Sequence, residues 1–243
     1  KAVNGVSFQV KNGETFGLVG ESGCGKTTLG RTIIRLYNPS SGEVTFGGRI
    51  ISGKKDAELQ KFLTSNIAMV FQDPIASLNP RMTVQEIIAE GLKIKGIKDE
   101  ATVRNMVGEA LYRVGLLPEH ATRYPHEFSG GQRQRVWIAM ALCQGTKTLF
   151  LDEPTTYLDI RYQIEILQLV KKLNQEFGIT IIMVLHDINQ AITYSDNIIG
   201  MKDGVVLVEG DPEEVITEES IRELYGIELG VTRVDGRKFV LAV

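Results

Sequence analysis

The stretch that decides the fold is Gly20-Glu21-Ser22-Gly23-Cys24-Gly25-Lys26-Thr27, followed by Thr28. The apolar run Phe16 to Val19 leads into it. Lys26 to Leu36 leads out of it, with apolar residues at Leu29, Ile33 and Leu36, the spacing of a helix face laid on a sheet. A strand, a glycine loop and a helix thus follow in order, the context in which this pattern reads as a phosphate-binding loop. Glycines let backbone N–H groups curl around phosphate oxygens, and the helix N-terminus adds partial positive charge. Lys26 is spaced to reach the β- and γ-phosphates of ATP, and the Thr27 hydroxyl to ligate Mg²⁺. A plain glycine turn has no use for Lys-Thr at those positions.

Working outward, short β-runs are expected at Val6 to Val10 and Glu43 to Phe46, giving a β-dominated opening. Residues 73–135 change character: Thr83 to Ile94 and Ala101 to Val114 read as amphipathic helices without strong strands between them. After this helical insertion, Thr148 to Leu151 and Thr180 to Leu185 are buried-strand runs beside helical segments, as in a parallel sheet with crossover helices. Asn197 to Met201 and Val205 to Val208, separated by Asp203-Gly204, predict a hairpin, and an acidic helix is expected from Pro212 to Tyr225. The expected fold is α/β with a mostly parallel core sheet, an N-terminal antiparallel portion and a helical subdomain at 73–135, within one domain over 1–243.

The chain's 243 residues suffice for a core of this kind. Its 27 basic and 30 acidic residues leave a net charge of −3, so any phosphate must be bound locally, and no nucleic-acid partner is expected. No apolar stretch approaches the ~18 residues needed to span a bilayer; the run from Ile179 stops at His186. Two cysteines, Cys24 and Cys143, point to a reducing compartment rather than a disulfide scaffold. The chain opens on Lys1-Ala2-Val3 without an initiator Met or an apolar leader.

Two further motifs carry chemistry. Thr148-Leu149-Phe150-Leu151-Asp152-Glu153 is an apolar strand ending in two acids, which would place carboxylates at the C-terminal edge of the sheet. Asp152 suits the metal's coordination shell, and Glu153 suits the orientation or deprotonation of an attacking water. Ser129-Gly130-Gly131-Gln132 opens a helix expected over Gly130 to Cys143; a capping serine followed by glycines is again a phosphate-receiving arrangement, although alone it also reads as an ordinary capped helix.

Taken with Gln72 after the run Asn66 to Phe71, the turn Tyr157-Leu158-Asp159 and His186 after its strand, these motifs resemble, in order and spacing, the ATPases of ABC transporters, over nearly the whole chain. The resemblance implies a P-loop NTPase fold and an ATPase with ATP and Mg²⁺ as ligands. It further implies a head-to-tail dimer, a membrane permease as partner, and a place in the cytoplasm at the inner face of the membrane. By the same resemblance Glu153, His186 and Gln72 are catalytic, and Thr27, Gln72 and Asp152 serve the metal. The loop residues Gly20 to Thr28 hold nucleotide, while Ser129, Gly130, Gly131 and Gln132 bind the γ-phosphate of the opposite subunit's ATP, with Asp159 linking the two sites. Singly, Gln72 and His186 also fit ordinary strand-end residues.

Within the family, residues up to 134 resemble oligopeptide and dipeptide importer ATPases, notably Val70-Phe71-Gln72-Asp73-Pro74, Ala76-Ser77-Leu78-Asn79-Pro80-Arg81 and Tyr124-Pro125-His126-Glu127-Phe128. From Val136 onward, Val136-Trp137-Ile138-Ala139-Met140-Ala141-Leu142 and Leu185-His186-Asp187-Ile188-Asn189-Gln190-Ala191 look like iron-siderophore and cobalamin importer ATPases. Two readings follow: an importer ATPase of peptide or siderophore type, or a chimera joined near Ser129 to Arg135 that binds nucleotide without driving transport. The family's adenine-stacking aromatic residue lies upstream of the first strand and has no counterpart in this chain, so weakened nucleotide affinity is expected.

Overall fold

Thr15-Phe16-Gly17-Leu18-Val19-Gly20 is buried along its whole length, and β1 (Thr15–Gly20) is accordingly an interior strand with neighbours on both sides. The computed structural model of the protein describes residues 2–71 and 78–241. The chain divides into two compact units, Lys1–Leu63 with Asn174–Val243, and Thr64–Leu173.

In the first unit, β1 leads through the glycine loop into α1 (Lys26–Ile33). A small antiparallel hairpin, β2 (Thr45–Phe46) with β3 (Arg49–Ile50), comes next, and then α2 (Ala57–Asn66), whose last residues belong to the second unit. β1 pairs in parallel with β6 (Thr180–Val184) on one side and with β7 (Asn197–Lys202) on the other. β8 (Val205–Gly210) returns antiparallel to β7 through Asp203-Gly204. Ile181, Met183, Val184, Ile198, Ile199 and Met201 are fully buried, so these strands read as near-continuous apolar runs, the pattern of a parallel sheet covered on both faces.

The expected strand at Val6 to Val10 does not form; the segment has no regular secondary structure and pairs with no strand among the described residues. Its alternate residues Val6, Phe8 and Val10 still turn inward, and Phe8 stacks on Phe16 with ring centroids 5.4 Å apart. The period-two signal therefore reported side-chain burial rather than strand pairing. The acidic helix expected from Pro212 to Tyr225 is two helices, α8 (Pro212–Val215) and α9 (Glu218–Tyr225). Between them Ile216 and Thr217 are extended, because Thr217 caps α9 by accepting the Ser220 N–H and Ile216 is drawn into the core. Beyond α9 the chain forms a hairpin that the sequence reading omitted, β9 (Val231–Val234) with β10 (Arg237–Val240).

In the second unit β4 (Ile67–Val70) pairs in parallel with β5 (Thr148–Asp152). Between them lie α3 (Val84–Ile94), α4 (Glu100–Arg113), two short 3₁₀ turns (Pro118–Thr122 and Pro125–Glu127) and α5 (Gly130–Cys143). Thr83 and Glu86 form a reciprocal capping box at the start of α3, and Asp99 caps α4 by accepting the Thr102 N–H at 2.8 Å. Ile88 and Leu92 of α3, Val107 and Leu111 of α4, and Ile138 of α5 make the apolar centre of this helical portion. Most of α6 (Ile160–Phe177) completes the unit, burying Ile166, Val170 and Leu173. Arg135 of α5 ties three segments together: it donates to the Val114 carbonyl at 2.7 Å and pairs with Glu165 of α6 at 2.9 Å.

Candidate functional site

The glycine loop lies wholly in the first unit. Gly25 caps α1 at φ 107°, a left-handed conformation that side chains rarely adopt, and a Cβ there would stand 2.3 Å from the Ala2 carbonyl oxygen. A Cβ on Gly20 would come within 2.1 Å of the Met201 carbonyl. Both positions therefore exclude any other residue by contact with backbone. Gly25 at the N-cap has no side chain with which to cap α1, a helix start of the kind that receives anions. Lys26 is buried, and its ammonium donates to the Gly20 carbonyl at 2.8 Å and to the Glu21 carbonyl at 2.7 Å, with the Cys24 sulfur at 3.8 Å. The loop thus holds a positive charge at its centre by its own carbonyls. Thr27 and Thr28 follow on the first turn of α1.

Tyr225 at the end of α9 also meets this loop, a neighbour that no sequence signal announced. Burial pushes its phenol up to about 12; the Gly20 backbone N–H works the other way, and Cys24, Asp187 and Glu21 raise it further. His186 is exposed in the turn after β6, next to Asp187, whose carboxylate caps α7 (Ile188–Tyr194) by accepting from the N–H groups of Asn189 (2.8 Å) and Gln190 (3.2 Å).

The second unit carries the acidic strand end and the Ser-Gly-Gly-Gln string. Asp152, the last residue of β5, is 1% exposed, and Glu153 follows at 8%. Glu153 has φ 52°, in the left-handed region where a non-glycine residue is strained, which turns the chain sharply out of the strand. The Thr156 hydroxyl donates to the Glu153 carboxylate at 3.2 Å, and the Thr156 N–H to its carbonyl. Tyr157, also at positive φ, and Asp159 are exposed beyond this turn. Ser129 caps α5 as expected: its hydroxyl accepts the Gln132 N–H at 3.4 Å, and the Gln132 side chain accepts the Ser129 N–H at 3.0 Å. Gly130 and Gly131 lie close under Leu158 and Tyr162, so the Asp159 turn and the start of α5 pack within one unit. Gln72 lies outside the described residues.

A family profile described as ABC transporter matches residues 3–156, well over half of the chain. The chain belongs to the ABC transporter ATP-binding family. It is 48% identical over 222 residues to the oligopeptide transport ATP-binding protein OppF of Bacillus subtilis, a match covering 91% of this chain and 72% of that protein. Against the oligopeptide transport ATP-binding protein AppF of the same organism it is 48% identical over 198 residues, 82% of this chain and 60% of the relative. The chain thus spans well under the full length of these relatives. Among solved structures it superimposes on cbiO1 of Clostridium perfringens, described as part of the ABC transporter complex cbiONQ. There the TM-score is 0.80 and the identity 35%, over 91% of this chain and 86% of that one. A dimeric post-hydrolysis state of the ATP-binding cassette MJ0796 bound to ADP and Pi gives a TM-score of 0.77 and 36% identity, over 87% of this chain and 90% of that one.

Proposed function

We propose that this chain is the ATP-hydrolysing, nucleotide-binding subunit of a peptide importer, working as a head-to-tail dimer beneath a membrane permease at the cytoplasmic face. The observation that carries the reading is the presence, in one chain, of two glycine-bearing helix starts of different build, each of a kind that can receive phosphate. One is the lysine-centred glycine loop before α1, and the other is the serine-capped glycine pair that opens α5. One helix start suffices to cradle a nucleotide's phosphates, and the second has a use if it faces the γ-phosphate held by another copy. Dimeric solved relatives and the oligopeptide-transport names of the sequence relatives support this reading.

In this scheme Lys26 and the loop N–H groups bind the phosphates of ATP. Glu153 takes the proton of, or orients, the attacking water, and His186 hydrogen-bonds the γ-phosphate. The Thr27 hydroxyl and the buried Asp152 carboxylate are hard oxygen donors, the kind Mg²⁺ prefers, and Gln72 would join them. Bound there, Mg²⁺ would neutralise phosphate charge. Asp159, exposed beyond the Glu153 turn, would lie between the paired sites.

Siderophore or cobalamin cargo, and a join near residues 129–135, draw no support from the relatives, because the similarity to Bacillus subtilis OppF runs over 222 residues and across that join. The non-transporting hybrid draws none either. The test is ATP hydrolysis with Mg²⁺ by the chain and by Glu153→Gln, with size-exclusion chromatography in ATP. The expected result is a loss of turnover of about 10²–10⁴-fold in the variant, the range of general-base catalysis, together with an ATP-dependent dimer. A chain that unfolds cooperatively but neither hydrolyses ATP nor dimerises would overturn the proposal.

A further inference from the structure

The helix that follows His186 is short. α7 runs only from Ile188 to Tyr194, and a helix of two turns has little stability of its own, so its direction is set by what grips it. Asp187 caps its start, and Ala191 and Ile192 bury its inner face. A further polar grip comes from the C-terminal hairpin. The Asn189 side chain meets Val240 of β10 twice: its Oδ1 accepts the Val240 N–H at 2.8 Å, and its Nδ2 donates to the Val240 carbonyl at 2.9 Å. One turn later, the Arg237 guanidinium donates to the Thr193 carbonyl at 3.1 Å, satisfying a C-terminal carbonyl of α7 with a cation, as the helix dipole favours. Both turns of α7 are therefore held by one strand.

The hairpin is itself anchored. Lys238 N–H donates to the Glu213 carboxylate at 2.8 Å, and the Lys238 ammonium donates to the Ile216 carbonyl at 2.6 Å. Arg233 pairs with Glu213 at 3.0 Å, the Leu241 N–H donates to the Gly230 carbonyl at 2.9 Å, and Val240 is buried. The segment after β8 thus forms a closed brace, running out through α8 and α9 and back onto α7. The Asn189 amide offers an acceptor and a donor on separate atoms, and so meets both polar groups of Val240 with one side chain.

We propose that the β9–β10 hairpin is a positioning element for His186, acting through the paired Asn189–Val240 hydrogen bonds and the Arg237–Thr193 bond to fix α7 and hence the turn that carries the imidazole. Asn189 is on this view a positioning residue and touches no reacting atom. The inference rests on the role given to His186 under Proposed function.

The test is a double-mutant cycle on the full chain, reading steady-state kcat and KM for MgATP in the parent, Asn189→Ala, His186→Ala and the double variant. Asn189→Ala is expected to lower kcat about tenfold, the scale of losing a hydrogen-bonded pair, with KM within about twofold. In the His186→Ala background the same change is expected to alter kcat by less than about twofold, because its effect passes through the imidazole. Arg237→Ala, which removes one grip only, serves if Asn189→Ala fails to fold, and is expected to give about a threefold loss that likewise vanishes without His186. An equal loss in both backgrounds, or a loss that tracks the folded fraction by near-UV circular dichroism, overturns the inference. If His186→Ala hydrolyses ATP like the parent, the role of His186 fails, and this inference fails with it. A parent chain without activity refutes the ATPase reading instead.

Discussion

Replacing Gly131 by alanine sets two effects of known sign against each other. Gly131 lies in the first turn of α5, where alanine is favoured over glycine by up to about 1 kcal/mol. Against this, a Cβ at that position would stand 3.0 Å from Cδ1 of Tyr162, 3.2 Å from its Cγ and 3.3 Å from its Cβ, so the ring or the helix start must give way. Overpacking of this kind costs about 1–3 kcal/mol. Tyr162 is only half-buried and can yield in part, so Gly131→Ala is expected to destabilise by roughly 0.5–2 kcal/mol. In a Tyr162→Ala background the ring is gone and only the approach to Cβ at 3.3 Å remains, so the same substitution should cost clearly less than in the parent, and at best stabilise by up to roughly 1 kcal/mol. The chain's single tryptophan, Trp137, lies in α5 and meets Phe71 edge-on at 6.5 Å, so its fluorescence in a urea titration reports on this helix. If Gly131→Ala stabilises both backgrounds alike, the ring is not what demands glycine there.

Two further outcomes follow from groups away from the glycine loops. Burial pushes the Cys143 thiol up to about 11, so at pH 8 only about one molecule in a thousand carries the thiolate. N-ethylmaleimide should leave Cys143 unmodified in the native protein and label it in urea, as peptide mass spectrometry will read; native labelling at the rate of a free thiol would contradict the burial. Glu86, held by hydrogen bonds from Thr83, Asp99, held by Thr102, and Glu165, held chiefly by Arg161 and then Arg135, all lie below their ordinary values near 4.5 and 3.8. A carboxylate with a lowered folded pKa stabilises in full above its unfolded value and ceases to do so as pH falls through the folded one. The urea midpoint of the parent should therefore fall below about pH 4.5, and Glu165→Gln should show a shallower acid slope; an unchanged slope would remove Glu165 from the account.

Where local chemistry decides an element, the sequence was enough. Ser129 and Gln132 cap each other, so the start of α5 was legible to the residue; the apolar run ending in Asp152-Glu153 announced β5 and its acidic end; Asp203-Gly204 marked the turn between β7 and β8. Where tertiary packing decides, it was not. Val6 to Val10 alternates like a strand, yet its inward residues are used for contacts such as Phe8 on Phe16 rather than for a ladder. The break at Ile216–Thr217 hid inside an acidic helical pattern, though Thr217 was a visible cap. The β9–β10 hairpin does carry a local signal, Asp235-Gly236 between its two strands. Nothing local marked Asn189 or Tyr225, because their partners lie 51 residues away at Val240 and at the far end of β1 respectively.

The backbone of Glu153 bears on how this chain responds to selection. A glutamate at φ 52° sits where glycine rests at ease, and the difference amounts to about 1–2 kcal/mol. A screen that rewards thermal tolerance alone weighs only that strain against the 3.2 Å bond from Thr156, and has no term for the carboxylate proposed to act in hydrolysis, which Glu153→Gly would discard. Thermotolerant libraries of this protein should therefore hold position 153 fixed, or carry turnover as a second filter, since there the gradient of robustness is blind to use.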